Sequence, residues 1–286
     1  MSHLKTNVLF DISGFVAVVT GGGTGIGLMI AKGLASNGAR VYITGRRKEV
    51  LDKAAKLADQ QEYSGSIIPF VADVVDKQSI LSLVEHIEKE EGKLHLLVNN
   101  AGQVGPTAPF FSNPSAPECE DTATLGRALF DCQDFNDWAD LYSLLEKGTK
   151  DIGRGFMSSI INITSISGVI KLSQNHFAYN SAKAAVTHIT KMLATELGLR
   201  KIPIRVNAIA PGAWPSEMTS NEGNILNGDK ANRISMGIQK LPADRGGTEE
   251  EIAASVLYLA SRAGSYITGQ EIIIDGGYVA VNPATS

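Results

Sequence analysis

The stretch Thr20-Gly21-Gly22-Gly23-Thr24-Gly25-Ile26-Gly27 follows a short apolar run, Phe15–Thr20, and leads into a helix-like segment, Ile26–Asn37. Glycines at such a turn let backbone N–H groups approach a pyrophosphate at the N-terminus of the following helix. The spacing is G-x-x-x-G-x-G, because Ile26 stands where the G-x-G-x-x-G pattern requires a glycine. The position of this turn between a strand and a helix predicts a dinucleotide site, whose expected contacts are Gly21, Gly23, Thr24, Gly25, Ile26 and Gly27.

Outward from this turn, short apolar runs rich in Val and Ile alternate with longer helical patterns, and such runs suit strands that are covered on both faces. The predicted strands are Phe15–Thr20, Arg40–Thr44, Ile67–Ala72, Leu94–Val98, Ile160–Thr164, Ile204–Ala208 and Glu271–Asp275. The predicted helices are Ile26–Asn37, Lys48–Gln61, Lys77–Glu91, Ala178–Leu199 and Glu249–Ser261. We therefore predict an α/β fold with a Rossmann-type, doubly wound parallel sheet of about seven strands and helices on both faces. The sequence shows no linker or internal repeat, which predicts a single domain over residues 1–286.

Composition excludes several classes of protein. The formal net charge is −4, and a mildly acidic protein lacks the positive field that holds nucleic acid, so we expect no nucleic-acid partner. Apolar runs fall short of the roughly 20 residues that span a membrane, and we expect a cytoplasmic protein without a membrane partner. The two cysteines, Cys119 and Cys132, and the scattered histidines lack metal-ligand spacing, so we expect two free thiols and no metal site.

The end of the second predicted strand bears on which dinucleotide binds. An acidic residue there would accept a hydrogen bond from the ribose 2′-hydroxyl of NAD. The sequence instead reads Ile43-Thr44-Gly45-Arg46-Arg47, and guanidinium groups pair with a 2′-phosphate through charge-assisted bonds. We therefore expect Arg46 and Arg47 to favour NADP(H) over NAD(H). The alternative is that both arginines are simply solvated at a helix start.

Tyr179 and Lys183 are four residues apart on a predicted helix, in the segment Tyr179-Asn180-Ser181-Ala182-Lys183. That spacing puts both side chains on one face of the helix. An ammonium near a phenol favours the phenolate, so we expect Lys183 to lower the pKa of Tyr179 toward neutral. Such a tyrosine can act as a general acid toward a developing alkoxide.

Five blocks of sequence, taken together and in order, form a pattern that is far more specific than any one of them. They are Thr20–Gly27, Asn99-Asn100-Ala101-Gly102, Asn162-Ile163-Thr164-Ser165-Ile166-Ser167-Gly168, Tyr179 to Lys183, and Pro211-Gly212. This order resembles the short-chain dehydrogenase/reductase family of Rossmann-fold oxidoreductases over nearly the whole chain. The segment Pro211–Thr219 is similar to 3-oxoacyl or rhamnolipid-type reductases and their fungal relatives. The resemblance implies hydride transfer between a nicotinamide cofactor and a carbonyl or secondary alcohol.

The resemblance also implies a role for each matching residue. Ser165 would hydrogen-bond the substrate carbonyl, Tyr179 would donate the proton, and Lys183 would bind the nicotinamide ribose. Ser167 is the rival of Ser165, although a period of two puts it on the other face of an extended segment. The further cofactor contacts would be Asp73 and Val74 at the adenine, Asn100, Ala101 and Gly102 along the cleft, Pro211 and Gly212 at the nicotinamide, and Ser216 near the carboxamide.

Two segments interrupt the alternation of strands and helices. A proline-rich stretch follows the fourth predicted strand, and we expect a loop insertion over about residues 103–136 that overhangs the site. The alternative for this stretch is a solvated surface insertion. The second segment covers about residues 213–245. It contains Trp214, Met218 and a polar stretch without a clear periodic pattern of apolar residues, which is typical of a substrate lid.

The sequence departs from the family pattern before the fifth predicted strand. The family has a fourth catalytic residue, an asparagine on the helix that begins near an aromatic position such as Trp138, and this chain has no asparagine between Asn136 and Asn162. Asn136 is the one candidate replacement, although it precedes Trp138. Several helical turns are absent between Ser143 and Leu144 relative to the family. The missing helix would form the main dimer interface with the helix that bears Tyr179, and its loss would expose apolar sheet surface.

These features lead to two hypotheses. We predict an NADP(H)-dependent oxidoreductase that reduces a ketone or other carbonyl to a secondary alcohol, or catalyses the reverse, as a homodimer or homotetramer whose assembly depends on the shortened helix. The alternative is a protein of the same fold with impaired or non-redox activity, such as a cyclase, an isomerase or a cofactor-binding module. The intact set of Ser165, Tyr179 and Lys183 favours the enzyme, and the absent helix favours the alternative.

Overall fold

The computed structural model describes residues 2–61, 63–102, 157–172, 176–215 and 241–282. The strands are β1 (Val16–Thr20), β2 (Arg40–Gly45), β3 (Ser66–Val71), β4 (Leu96–Asn99), β5 (Ser158–Ile163), β6 (Ile204–Pro211) and β7 (Glu271–Ile274). The helices, numbered along the described residues, are α1 (Thr6–Leu9), α2 (Gly25–Ser36), α3 (Lys48–Asp59), α4 (Lys77–Glu90), α5 (Phe177–Leu199), α6 (Glu249–Ala260) and α7 (Tyr278–Val281). Short 3-10 turns lie at Ser2–Leu4, Ile166–Gly168 and Arg262–Gly264.

The described strands form one parallel sheet in the order β3-β2-β1-β4-β5-β6-β7. In the central strand β1, Val18 lies opposite Tyr42 of β2 on one side and Leu97 of β4 on the other. Every residue of β1, β5 and β6 is buried, as expected for apolar strands covered on both faces. The prediction of a doubly wound α/β sheet of about seven strands is confirmed.

Helices cover both faces of this sheet. Ala17 and Val19 of β1 belong to an apolar cluster that also contains side chains of α2, α3 and α6. Val16 and Val18 point to the opposite face, into a second cluster with side chains of α4 and α5. In the described part of the chain, no helix combines the length and the apolar character needed to cross a membrane.

Side-chain caps fix where two of these helices begin. The Asp76 carboxylate accepts the backbone N–H groups of Gln78 and Ser79, each at 3.2 Å, at the start of α4. At the start of α6, Thr248 and Glu251 form the capping box that their spacing predicts, in which the Thr248 N–H donates to Glu251 Oε2 at 2.8 Å. Each cap stabilises its helix by about 1 kcal/mol.

The strand order reverses between β1 and β4, because β2 and β3 lie on one side of this pair and β5 to β7 on the other. Ligands of open α/β sheets bind outside the carboxyl ends of the strands at such a switch point. β1 ends at Thr20 and β4 ends at Asn99. The glycine turn and the segment Asn100-Ala101-Gly102 therefore meet at the crevice where a ligand is expected.

Several predicted features lie outside the described residues and stay predictions. They are the loop insertion at 103–136, both cysteines, the gap between Ser143 and Leu144, and the cofactor contact Ser216. Of the expected lid at 213–245, residues 213–215 and 241–245 are described.

Candidate active site

The glycine turn after β1 is closely packed against its neighbours. Gly21 and Gly25 have φ angles of +64° and +52°, a region of backbone conformation that favours glycine. A Cβ on Gly27 would lie 2.3 Å from the Gly21 carbonyl oxygen and 2.5 Å from Asn100 Nδ2, so no larger residue fits there. In the described structure, the Thr24 side chain makes no capping hydrogen bond to α2, which leaves the first N–H groups of this helix to an external acceptor.

Hydrogen bonds fasten the glycine turn to the segment that follows β4. Thr20 Oγ1 accepts the backbone N–H of Asn100 at 3.0 Å and that of Ala101 at 2.9 Å. Asn100 Nδ2 donates to the carbonyl oxygens of Thr20 at 2.9 Å and Gly21 at 3.3 Å. The structure thus brings together three of the expected cofactor contacts, Gly21, Asn100 and Ala101, at the switch point.

The end of β2 lies beside the same turn. The Gly22 N–H donates to the carbonyl oxygen of Thr44 at 3.3 Å. Arg46 and Arg47 follow within three residues of Thr44, join β2 to α3, and are both exposed. Two guanidinium groups are therefore carried by the connection nearest to the glycine turn.

Asp73 and Val74 lie in the short connection between β3 and α4, and both are half-buried. Ser79 Oγ accepts the Asp73 N–H at 2.9 Å, and Asp73 Oδ1 accepts the Val75 N–H at 3.2 Å. The connection is held by its own side chains. Because the sheet is parallel, it lies at the same edge as the glycine turn.

Gly168 lets the 3-10 turn after β5 approach α5. A Cβ on Gly168 would lie 2.7 Å from the backbone nitrogen of Ala184 and 2.7 Å from the carbonyl carbon of Lys183. The turn and the helix therefore touch backbone to backbone at the level of Lys183. This contact fixes the distance between the residues before the turn and the side chains on that face of α5.

Ser165 immediately precedes this turn and is 9% exposed. Its Oγ atom accepts the Ser167 N–H at 3.2 Å, and its side chain lies close enough to Tyr179 to lower the pKa of the phenol. Of the two candidate serines, Ser165 is thus seen to reach the tyrosine, while Ser167 contributes its backbone N–H to Ser165.

Tyr179 and Lys183 lie one turn apart on α5, with Lys183 Nζ 5.6 Å from the centre of the Tyr179 ring. Burial raises the pKa of the Tyr179 hydroxyl, and the nearby Ser165 side chain lowers it by less. The expectation that Lys183 brings this pKa toward neutral is therefore wrong, because the desolvation of the phenol is the largest influence. Burial also lowers the pKa of Lys183 to about 8, and its Nζ donates to the Ile163 carbonyl oxygen at 2.8 Å.

Three further expected contacts lie at the carboxyl ends of β4 and β6, the strands on either side of β5. The position of a Cβ on Gly102 is 3.8 Å from Lys183 Nζ, so the segment after β4 faces the ammonium. Pro211 ends β6, and the Gly212 N–H donates to the Ile274 carbonyl oxygen at 2.9 Å. The carboxyl ends of β4 and β6 thus lie at the same edge of the sheet, and the segment after β4 faces the N-terminal part of α5.

One polar side chain next to this site, that of Glu271, is not predicted from the sequence. Glu271 accepts hydrogen bonds from the hydroxyls of Thr164, which directly precedes Ser165, and Thr187, which lies one helical turn after Lys183. The signals available in the sequence are weak: an acidic residue at the start of an apolar strand, and a threonine four residues after Lys183. Among the described residues, no three His, Cys, Asp or Glu side chains are grouped as metal ligands would be.

The strand order and the glycine turn at the switch point define a Rossmann-type α/β protein, a class that hosts many functions. The particular family follows from comparison with known sequences. The family model described as short chain dehydrogenase matches residues 15–225. The chain belongs to the short-chain dehydrogenase/reductase family. It is an oxidoreductase that acts on carbonyl and alcohol groups.

Similar proteins cover nearly the whole chain. It is 42% identical to the short-chain dehydrogenase/reductase PhomF of Diaporthe leptostromiformis, over 97% of this chain and 95% of the relative. The solved Pseudomonas aeruginosa RhlG/NADP active-site complex is 32% identical with a TM-score of 0.74, over 94% of this chain and 98% of that one. A 7α-hydroxysteroid dehydrogenase complexed with NADH and 7-oxo glycochenodeoxycholic acid is 28% identical with a TM-score of 0.74, over 96% and 98%. Nicotinamide cofactors of both kinds thus occur among the structures that this chain resembles.

Proposed function

We propose that this protein is an NADP(H)-dependent reductase of a ketone or other carbonyl, or a dehydrogenase of the corresponding secondary alcohol. The observation that carries the proposal is the grouping of Ser165, Tyr179 and Lys183: Ser165 lies beside the Tyr179 side chain, and Lys183 Nζ lies 5.6 Å from the centre of its ring. All three lie at the edge of the sheet that bears the glycine turn. Two hydroxyl groups in such a place can hold a carbonyl oxygen, and one of them can deliver a proton to it.

The residues around the crevice fit a nicotinamide dinucleotide. Within the described residues, the Thr24 side chain makes no capping hydrogen bond to α2, so the first N–H groups of this helix can bind a pyrophosphate. The ammonium of Lys183 faces the segment at Gly102, where ribose hydroxyls can accept its hydrogen bonds. The residues that would hold the cofactor are Gly21, Gly23, Thr24, Gly25, Ile26, Gly27, Arg46, Arg47, Asp73, Val74, Asn100, Ala101, Gly102, Tyr179, Lys183, Pro211, Gly212 and Ser216.

Charge at the end of β2 favours NADP(H) over NAD(H). This connection contains no acidic residue to accept a ribose 2′-hydroxyl, and it carries Arg46 and Arg47 instead. Both arginines are exposed on the connection that lies beside the glycine turn. Charge-assisted bonds from guanidinium to phosphate are among the stronger hydrogen bonds in proteins.

The chain's own residues supply the proton chemistry. When bound, the nicotinamide supplies or accepts the hydride. Because burial raises the pKa of Tyr179, the phenol is protonated at neutral pH and starts a reduction as the acid, donating its proton to the substrate oxygen. Ser165 donates a hydrogen bond to the same oxygen and stabilises the negative charge that develops there. In the oxidation direction, the Tyr179 phenolate takes the alcohol proton back.

Lys183 has a fixed acceptor on the neighbouring strand β5. Its Nζ donates to the carbonyl oxygen of Ile163, on the strand that leads to Ser165. An ammonium has three donors, so two remain for ribose hydroxyls. This anchoring supports a redox enzyme over the non-redox alternative.

The proposal is tested with the purified protein, NADPH and a panel of ketones and aldehydes, followed by the absorbance of the reduced nicotinamide. We expect turnover, and we expect Tyr179→Phe to lower kcat at least roughly a hundredfold, because the proton donor is lost. The variant should still bind NADPH, because the other cofactor contacts remain. Tyr266→Phe is the matched control, since Tyr266 is fully exposed. Binding of NADPH with no turnover of any carbonyl would refute the reductase.

The cofactor preference has a test of its own. We expect the double variant Arg46→Ser, Arg47→Ser to raise the Kd for NADPH by roughly tenfold to a hundredfold and to leave the Kd for NADH unchanged, because the arginines contact the 2′-phosphate. Lys48→Ser removes a neighbouring exposed cation that is paired with Asp52, and it serves as the control. Equal affinity of the wild type for NADPH and NADH would contradict the preference.

We also propose that the chain assembles as a homodimer or homotetramer. Ile189 and Met192 of α5 are 40% and 53% exposed, and exposed apolar side chains gain stability when they are buried against a partner. Light scattering measures the mass directly, and Met192→Glu should shift it toward the monomer. A wild-type monomer at all accessible concentrations would exclude this assembly.

A further inference from the structure

Glu271 connects the two elements that carry the proposed catalytic groups. It is half-buried at the start of β7, and its Oε1 atom accepts the hydroxyl of Thr164 at 2.7 Å and that of Thr187 at 2.6 Å. Thr164 directly precedes Ser165 after β5, and Thr187 lies one turn after Lys183 on α5. One carboxylate oxygen therefore receives a donor from each side of the site.

These two hydrogen bonds are stronger than the alternatives open to either threonine. A hydroxyl bonded to an ionised carboxylate makes a bond roughly twice as strong as a neutral one. Thr164 Oγ1 also lies 3.0 Å from the Ile209 carbonyl oxygen, and Thr187 Oγ1 lies 3.2 Å from the Lys183 carbonyl oxygen. Each hydroxyl has a single proton, and the closer, charged oxygen takes it. If Glu271 is replaced, both hydroxyls keep a backbone acceptor, so the fold is expected to survive while the connection is lost.

The sheet register explains how one side chain reaches both threonines. Glu271 pairs with Ala208 of β6, which in turn pairs with Asn162 of β5, so the three side chains share one face of the sheet. Asn162 Nδ2 donates to Thr190 of α5 at 2.8 Å, which identifies this face as the one that α5 covers. Ala208 has only a methyl group, and the Glu271 side chain therefore has room to extend across β6 toward β5 and α5.

We propose that Glu271 is a positioning residue that holds Ser165 and Lys183 at their working separation through Thr164 and Thr187. The inference rests on the proposed function, since it concerns the same two residues. The bond to Thr187 fixes the part of α5 that carries Lys183, and thus affects the affinity for the cofactor. The bond to Thr164 fixes the residue before Ser165, and thus affects the rate of the chemical step.

The experiment compares two variants of Glu271 with a matched control. Glu271→Leu removes the acceptor, whereas Glu271→Gln keeps a carbonyl oxygen that can accept both hydroxyls. The control is Glu91→Leu, because Glu91 Oε1 likewise accepts two side chains, Tyr42 and Arg40, each at 2.7 Å, but at the opposite end of the sheet. Each variant is measured for kcat, for KM and for the Kd of NADPH by fluorescence, with the folded fraction determined by thermal unfolding.

We expect Glu271→Leu to lower kcat roughly tenfold to a hundredfold, because small displacements of reacting groups have effects of that size. The Kd for NADPH should rise several-fold in the same variant. Glu271→Gln should recover most of both losses. Glu91→Leu should lower the melting temperature while leaving kcat and Kd unchanged.

Two threonine variants separate the two connections. Thr187→Val should raise the Kd for NADPH with a smaller effect on kcat. Thr164→Val should lower kcat and leave the Kd unchanged. These variants also decide the matter if Glu271→Leu fails to fold, because each removes one hydrogen bond only.

The inference is overturned if Glu271→Leu and the threonine variants match Glu91→Leu in both kcat and NADPH affinity at equal folded fraction. Failure of the proposed function gives a different result, a wild type that binds NADPH and converts no carbonyl. In that case the Kd values of Glu271→Leu and Thr187→Val, relative to wild type, still decide whether Glu271 positions Lys183.

Discussion

Replacing Gly168 with alanine tests whether the turn after Ser165 sets the geometry of the site. The added Cβ would lie 2.7 Å from backbone atoms of Lys183 and Ala184, whereas ordinary contact begins at 3.4 Å, so the turn and α5 must separate by about 0.7 Å. Backbone atoms have no rotamer with which to yield, and overpacking of this kind costs about 1–3 kcal/mol. A displacement approaching 1 Å between Ser165 and Tyr179 lowers the rate by roughly tenfold to a hundredfold.

The assay measures kcat with NADPH and a carbonyl substrate, together with the free energy of unfolding in urea. Gly198→Ala is the control on the same helix, since a Cβ there meets nothing within 4 Å and the substitution favours a helix by up to about 1 kcal/mol. We expect Gly168→Ala to lose both activity and stability and Gly198→Ala to lose neither. Wild-type kcat and stability in Gly168→Ala would refute the reasoning.

Three further predictions follow from individual contacts. Burial lowers the pKa of Lys183 to about 8, so its ammonium is lost as the pH rises through that value. Fluorescence titration should therefore show that the affinity for NADPH falls above this pH. Constant affinity across the alkaline range would contradict a role of Lys183 in binding the ribose. Gly27→Ala puts a Cβ 2.3 Å from the Gly21 carbonyl oxygen, and we expect the Kd for NADPH to rise at least roughly tenfold; an unchanged Kd would exclude this turn from the cofactor site. Arg205 is 1% exposed and donates to three backbone carbonyl oxygens near the end of α6, so Arg205→Met should lower the free energy of unfolding by about 3 kcal/mol, roughly 1 kcal/mol for each acceptor. Urea denaturation should show a much smaller loss for the exposed Arg200→Met, and equal losses would be evidence against this account of Arg205.

Local sequence patterns predict most of the fold, and pairing with neighbouring strands explains the strand residues that these patterns miss. The run from Val16 to Thr20 is recognised as a strand because it is apolar and continuous, and it is buried on both faces as expected. The strand predicted over Ile204–Ala208 extends to Pro211, because β7 provides a partner up to the pair of Pro211 with Ile274. A proline at the last position of a strand gives no local signal of that pairing.

Some features of the candidate site are predicted by local sequence patterns, and others depend on contacts between residues far apart in the chain. The glycine turn and the spacing of Tyr179 and Lys183 are local features, and the sequence places them correctly on a strand–helix connection and on one helix. The pKa of Tyr179 depends on how deeply the phenol is buried, and burial depends on tertiary contacts such as the one between Gly168 and α5. Glu271 lies 107 residues from Thr164 and 84 from Thr187, so no local pattern connects them.

The most direct test of the central claim follows the hydride itself. The wild type and Tyr179→Phe are incubated with a ketone and NADPH deuterated at the transferred position of C4, and the alcohol is analysed by mass spectrometry. The account predicts that the wild-type product carries one deuterium on the former carbonyl carbon, and that Tyr179→Phe forms almost none of this product although it binds NADPH. A product without deuterium, or an equal yield from Tyr179→Phe, would contradict hydride transfer with Tyr179 as the proton donor.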